Sequence, residues 1–505
     1  MAAFIALTVL WTLTLATQAS PSFNRSTLFP IPTKPRVFIL SDISNEPDDQ
    51  QSLTRYLLYA NQFQTEGIVA VTSTWLRDTV HPEDMLTVID AYGNVTENLN
   101  QHAPLDSPYP SAEEIRGLVR RGAESYGMTA VGQDIPLSDG AQLLFERLQT
   151  PSDQPLWILA WGGTNVLAQV LHHINTTLPE VEASTLRSKL RIYAISDQDD
   201  TGAWIRQSWP EVFYIASVHG WNQYGLAAWV GISGERYYGL GDQGGPSFSK
   251  VSHDWLSKNI QIGPYGKQAY PDYKFIMEGD TPTFLYLVQN GLGVAEEPSW
   301  GSWGGRYEKV NPSTVMQFNH YCDVADRVLG YGLNNNRTYT SSAASIWRWR
   351  EAYQNDFAAR MQWSIPGNGS RANHHPVIAI NGSSSLSPLS ITVSVNSTII
   401  LDATGTSDPD HDALSFRWFQ YREPGSNDWN IGNQVPELDV TTSRGGRVAR
   451  VRIPRAEESY NGKGYNPSGC WLLHLILEVT DNGYHPLTSY RRILLQTTNG
   501  TAEAH

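Results

Sequence analysis

Residues 36–61 read Arg-Val-Phe-Ile-Leu-Ser-Asp-Ile-Ser-Asn-Glu-Pro-Asp-Asp-Gln-Gln-Ser-Leu-Thr-Arg-Tyr-Leu-Leu-Tyr-Ala-Asn. The run Arg36–Leu40 predicts a buried strand, and Gln50–Asn61 predicts a helix. The same alternation continues downstream. Gly67–Thr72 reads as a strand and Pro82–Leu99 as a helix; Leu156–Ala160 is a strand and Thr164–His173 a helix. Leu190–Ile195 and Val212–Ala216 are further strands. Strands this apolar are covered on both faces. Their alternation with helices predicts parallel βαβ units and a doubly wound, mostly parallel α/β sheet. Such sheets bind ligands beyond the carboxyl ends of their strands. Chemistry is therefore expected on the loops after Leu40, Thr72, Ala160 and Ile195.

Beyond this unit the pattern changes twice. From Thr314 to Trp363 it reads as helical, with Arg348, Arg350, Glu351 and Arg360 on polar positions. Pro366–Ser370 reads as a linker. After Pro376, strand-like runs at 391–401, 414–421, 448–453 and 472–480 alternate with turn residues, as in a β-sandwich. The expected division is a leader at 1–19, an α/β domain at 35–310, a helical extension at 311–365 and an all-β Ig-like sandwich at 374–497.

The chain has 505 residues with a net charge of −14, and 17% of residues are charged. An acidic chain without a basic block suits neither nucleic-acid polymers nor anionic membranes, which need clustered Lys and Arg. The apolar run Phe4–Leu15, followed by Ala16–Ala19, is too short to span a bilayer and predicts a secretory leader cut after Ala19. Eight Asn-x-Ser/Thr triplets, at Asn24, Asn94, Asn175, Asn336, Asn368, Asn381, Asn396 and Asn499, agree with an exported, extracellular glycoprotein. Cys322 and Cys470 are either a bridge or two buried thiols, and no Cys/His zinc pattern is present.

The loop after the first strand places Asp42, Glu46, Asp48 and Asp49 within eight residues. Crowded carboxylates raise one another's pKa unless a cation or hydrogen-bond donors compensate. A hard cation that takes oxygen ligands is one compensator. The other reading is a solvated loop in which Asp48 and Asp49 favour the start of the next helix. Trp75, Trp161, Trp204 and Trp221 fall at or near predicted strand ends, where they either stack on sugar rings or fill the core. His102 and His219 are either proton donors to a leaving group or ordinary hydrogen-bonding residues.

Taken together, these motifs resemble the nucleoside hydrolase family. Asp42 and the pair Asp48-Asp49 match its Asp-x-Asp-x-x-x-Asp-Asp fingerprint. Trp161-Gly162-Gly163-Thr164-Asn165 is similar to its Gly-Pro-x-Thr-Asn turn, and Gly279-Asp280-Thr281-Pro282 to its late His-Asp-Pro. Asn45–Ser52 and Asp356–Met361 resemble signatures of secreted members described as cellulose-binding. The resemblance implies one Ca²⁺ held by Asp49, Asp280, the Thr164 carbonyl and Asp42, with Asp48 as general base. It places Asn165 against the substrate, beside Trp75, Trp161, Trp204, His102 and His219 as candidate contacts. Two departures stand out. Ser44 replaces the family's second Asp ligand, with Asp42, Asn45 and Glu46 as the substitutes at hand. The family's sugar-binding stretch is replaced by Ser196–Trp204.

Three functions follow from these features. The first is a secreted hydrolase of N- or O-glycosyl bonds acting on a carbohydrate or glycoside. The second is a non-catalytic binder of cellulose or cell-wall glycan, and the third an extracellular nucleoside hydrolase. The tail's Asp408-Pro409-Asp410-His411-Asp412 resembles the Asp-rich turn of bacterial-surface and polycystin-type Ig-like repeats, where it stabilises a loop between strands.

Overall fold

The computed structural model describes residues 24–31, 33–218, 220, 223–234, 247–310, 318–329, 338–367, 371–425, 435–455 and 471–498. The expected leader, His219, Trp221 and Cys470 lie outside these residues. Cys322 carries a free thiol.

An eight-stranded sheet forms the first unit. Its strands are β1 (Arg36–Ser41), β2 (Gln64–Ala70), β3 (Val119–Arg121), β4 (Leu156–Ala160), β5 (Leu190–Ala194), β6 (Phe213–Ala216), β7 (Tyr307–Lys309) and β8 (His320–Asp323). Their order is β3-β2-β1-β4-β5-β6-β8-β7. Every pairing is parallel except β7 with β8. All six residues of β1 are buried. Alternate residues serve opposite faces, as the pleat requires. Val37, Ile39, Trp157 and Leu159 join one core, while Phe38, Leu40, Ile158 and Ala160 join the other. This is the doubly wound arrangement that the apolar strands predict. The order of strands reverses between β1 and β4, and that crevice is where such sheets bind ligands.

The stretch expected to be helical from Thr314 is not helical throughout. β8 completes the large sheet, and β9 (Asp326–Leu329) pairs with β10 (Thr338–Ser341) as a hairpin. Helix begins at Ala344 and its main element is Arg350–Trp363. Arg350 and Arg360 are buried, where the sequence pattern made them polar positions, and among the four charged residues only Glu351 is exposed. The reason is the helix's place between two units, which leaves it almost no solvent face. Arg350 donates to the carbonyls of Gly231 and Ile232, and Arg360 pairs with Asp356.

The tail forms two sheets. One has the order β11-β17-β16-β13 (Leu389–Ser394, Thr488–Thr498, Leu472–Thr480 and Ser415–Tyr421). The other has the order β12-β15-β14 (Thr398–Asp402, Val448–Arg452 and Asp439–Ser443). The single strand expected at 391–401 is split by a turn, with Asn396 at φ 62°, and its halves join different sheets. All pairings are antiparallel except β11 with β17. Trp418 packs against the sandwich core and donates to the Gly446 carbonyl at 2.8 Å. Asp408 Oδ1 accepts the backbone N–H groups of Asp410 and Asp412, each at 2.9 Å, which closes the Asp-rich turn. The sandwich packs on the buried helix and its neighbours. Trp349 lies 5.8 Å from Tyr421 and 5.7 Å from Tyr490, and Asn355 donates to the Pro486 carbonyl.

Candidate metal and substrate site

Loops from the carboxyl ends of β1, β2, β4, β5 and β6 meet in one pocket of about 460 Å³, including its open mouth. Its lining comprises Asp42, Asn45, Glu46, Asp48 and Asp49 after β1, Trp75 after β2 and Trp161 after β4. Ile195, Ser196 and Gln198 after β5, Gly220 after β6, and Trp229 and Asp280 complete it.

The helix α1 (Pro47–Leu57) places two of the acids. Pro47 starts it, and Asp48 and Asp49 occupy its first turn, a position that favours negative charge. One carboxylate oxygen from each of Asp48, Asp49 and Asp280 lies within 4.8 Å of the others. The Asp280 loop is held by a buried anchor. Glu278 adopts φ 55°, pairs with Arg55 of α1 at 2.7 Å and accepts the Tyr270 hydroxyl at 2.6 Å. Arg55 also reaches Gln354 of the buried helix at 2.9 Å. Two glycines let the walls close. A Cβ at Gly279 would meet Asp48 Oδ2 at 2.8 Å, and one at Gly162 would meet the Asp42 Cβ at 2.9 Å.

The electrostatics are one-sided. No Lys, Arg or His is among the described lining residues. Burial pushes Asp42 up to about 6. Burial, with repulsion from Glu46 and Asp42, pushes Asp48 up to about 8. Asp49 and Asp280 are raised well above the usual carboxylate range, by burial first and by the neighbouring aspartates second. Ser41 relieves Asp49 slightly, donating its hydroxyl to Oδ1 at 2.5 Å. Asp280 Oδ2 is buried with no hydrogen-bond partner. An orphaned carboxylate oxygen amid other carboxylates fits a hard divalent cation, whose preferred ligands are oxygens.

The remaining predicted residues divide. Trp75 and Trp161 line the pocket. Trp75 is 57% exposed at its rim, while Trp161 is buried and donates to Thr283 Oγ1 at 2.8 Å. Thr164 does not line the pocket: its carbonyl accepts the Ala168 N–H and its hydroxyl bonds Thr201. The Gly162-Gly163 turn is so short that Thr164 already caps the following helix, and Trp161 is the residue at the strand's end. Trp161's carbonyl accepts from Gln198. Asn165 is fully buried and donates to Thr72, Ala123 and Ser125, tying two loops together behind the pocket. Trp204 packs edge-on against Trp209 at 5.0 Å, over the core.

His102 lies in a different cavity, beside Asn61 and Gln62, which directly precede β2 at the opposite edge of the sheet. Its ring packs against both Trp363 and His374, which also touch each other, and burial lowers it to about 3, so it is neutral at ordinary pH. Ser44, which stands where the family has a ligand, turns away and donates to Asp84. Sequence reasoning gave no role to Gln198, Trp229, Arg55 or Glu278. None sits in a periodic or clustered pattern that would single it out.

Residues 36–307 match the family model described as cellulose-binding Sde182, nucleoside hydrolase-like domain. Residues 398–497 match that of the cellulose-binding protein Sde0182, C-terminal domain. The chain belongs to this cellulose-binding, nucleoside hydrolase-like family. A solved structure from Saccharophagus degradans covers 92% of this chain and 100% of its own, with 29% identity and a TM-score of 0.73. It is titled a nucleoside hydrolase-related hypothetical protein associated with carbohydrate metabolism. The effector protein XOO4466 covers 50% of this chain and 81% of its own, at 13% identity and a TM-score of 0.23, and bears on nothing here. No curated protein matches. Among the described residues no helix is long and apolar enough to cross a membrane.

Proposed function

We propose that the chain is an extracellular hydrolase that cleaves a glycosyl bond of a carbohydrate in the acidic pocket, with a divalent cation, Ca²⁺ by its oxygen ligands. The observation that carries this reading is the convergence of half-buried Asp48 with buried Asp49 and Asp280 within 4.8 Å, without a cationic side chain in the described lining. Asp49 and Asp280 would hold the ion, with Asp42 beside them. The ion supplies positive charge that orients sugar hydroxyls and makes water more acidic. Asp48 faces the same space from the first turn of α1, where it can take a proton from water at its carboxylate. With a cation present, its pKa falls from the value set by its neighbours, which suits a base at neutral pH. Trp75 at the rim offers a flat face to a sugar ring.

A second reading, a carbohydrate binder without turnover, is favoured by the family's cellulose-binding description and the exposed Trp75. A third, nucleoside hydrolysis, rests on the nucleoside hydrolase-like fold alone. A panel of glycans, glycosides and nucleosides incubated with the purified chain and Ca²⁺ separates the three. The hydrolase reading expects cleavage of a glycan or glycoside that chelation abolishes. Retention on cellulose with no cleavage of any substrate supports the binder and overturns the hydrolase.

A further inference from the structure

The Asn-x-Ser/Thr triplets gain a meaning in the folded chain that they lack in the sequence. Five of their asparagines are among the described residues, and Asn24, Asn94, Asn175, Asn381 and Asn396 are all exposed. The other eleven described asparagines provide the comparison. Only Asn482 is exposed; Asn61, Asn165, Asn290, Asn355 and Asn373 are buried, and Asn45, Asn98, Asn100, Asn259 and Asn319 are half-buried. Triplets arising by chance would sample this mostly covered population. A sequence selected to carry bulky glycans would place every acceptor at the surface.

We infer that Asn24, Asn94, Asn175, Asn381 and Asn396 carry N-linked oligosaccharides, three of them on the edge of the large sheet opposite the acidic pocket. Helices in parallel crossovers run back against the strands, so they end at the sheet's amino edge, whereas the pocket lies beyond the carboxyl ends. Asn94 follows the last residue of the helix Pro82–Gly93, and Asn175 lies in the last turn of Asn165–Thr177. Asn24 is fixed to the same edge: Arg25 donates to the Ala103 carbonyl at 2.7 Å, beside the cavity that holds Asn61 and His102.

Asn381 and Asn396 sit in tight turns of the sandwich at φ 51° and 62°. Where the acceptors make local hydrogen bonds, they use Oδ1. Asn381 Oδ1 accepts from the Asp402 N–H, and Asn24 Oδ1 accepts from Ser26. Glycosylation leaves that oxygen in place. Nδ2 forms a bond to C1 of the first sugar, the C1–O bond to a lipid pyrophosphate donor breaks, and an amide proton leaves with the pyrophosphate. The acceptors Asn94 and Asn175, at the sheet's amino edge, point no glycan at the pocket.

The test uses the full chain secreted by eukaryotic cells. Treatment with peptide N-glycosidase F in heavy-oxygen water converts each glycosylated Asn to a labelled Asp, which peptide mass spectrometry locates. Label at four or all five acceptors, including Asn94 and Asn175, is the expected result. Label at three or fewer, or absence from either Asn94 or Asn175, overturns the inference. The eleven other asparagines serve as the internal control.

Discussion

Two groups of buried aspartates can be set side by side. At the junction of the two units, Asp326 accepts from Arg306 at 2.7 Å, from Arg348 at 2.7 Å and from Tyr421 at 2.6 Å, and Asp356 pairs with Arg360 and His375. Both are held below the usual carboxylate range by these guanidinium groups and, for Asp356, by His375. In the pocket, Asp49 and Asp280 are just as buried, yet both are pushed far up. Burial is the same; the difference is compensation. An acid whose partners are built into the chain is a structural bolt. On the proposed reading, an acid cluster without such partners is a receptor for a cation from outside.

Several changes would break or sharpen this contrast. The largest expected effect is on turnover: Asp48→Asn keeps the volume but removes the base, so the hydrolase reading expects a loss of about 10²–10⁴-fold, with cation binding nearly retained. Initial rates and calorimetry check both parts. Unchanged rates would move the base to Glu46 or Asp42. Next is stability. Asp326→Asn leaves Arg306 and Arg348 short of a buried partner and should cost about 3–5 kcal/mol in urea unfolding. Asp280→Asn in the metal-free chain removes repulsion and should cost nothing or stabilise. Equal destabilisation by the two would erase the distinction.

The pH dependence has opposite signs in the two groups. In the metal-free chain, the stability contributed by Asp42 and Asp48 is intact below about pH 4 and lost as pH rises through about 6 and then about 8, because their folded pKa values are raised. That of Asp326 and Asp356 is present above about pH 4 and lost on acidification. Unfolding midpoints in chelator should therefore fall between pH 5 and pH 9, and excess Ca²⁺ should flatten that limb. Identical slopes with and without Ca²⁺ would count against a cation in the pocket. The smallest effect concerns Trp75. Trp75→Ala removes one stacking face and should weaken glycan affinity by about 2–10-fold, or ~0.5–1.5 kcal/mol, whereas Trp204→Ala should leave it unchanged.

Much of the fold was legible because periodicity reports burial. The apolar runs at Arg36–Leu40 and Leu156–Ala160 mark strands covered on both faces, and the acids after Leu40 mark the ligand edge. The helix Arg350–Trp363 was misread for the same reason. Charged residues at its surface positions look solvated, but they meet partners on chain segments far away, such as Gly231 and Asn61. Within the site, Asp48, Asp49 and Asp280 could be placed from motif order alone. Thr164, Asn165, Trp204 and His102 could not, because a carbonyl taken up by the following helix, a loop tie, an edge-on tryptophan pair and an inter-unit cavity are tertiary facts. Gln198 carries only its place in the loop after Ile195, where a ligand contact is expected, and Glu278 carries no local signal at all.

The central claim is that the uncompensated acids hold a divalent cation, and calcium-dependent thermal unfolding tests it most directly. The wild-type chain should show a melting temperature that rises with the logarithm of Ca²⁺ concentration above Kd, corresponding to about 2.7 kcal/mol at a hundredfold excess over Kd. The double variant Asp49→Asn, Asp280→Asn should lose that rise while remaining folded in chelator. No calcium response in the wild-type chain, or an equal response in the double variant, would contradict the account.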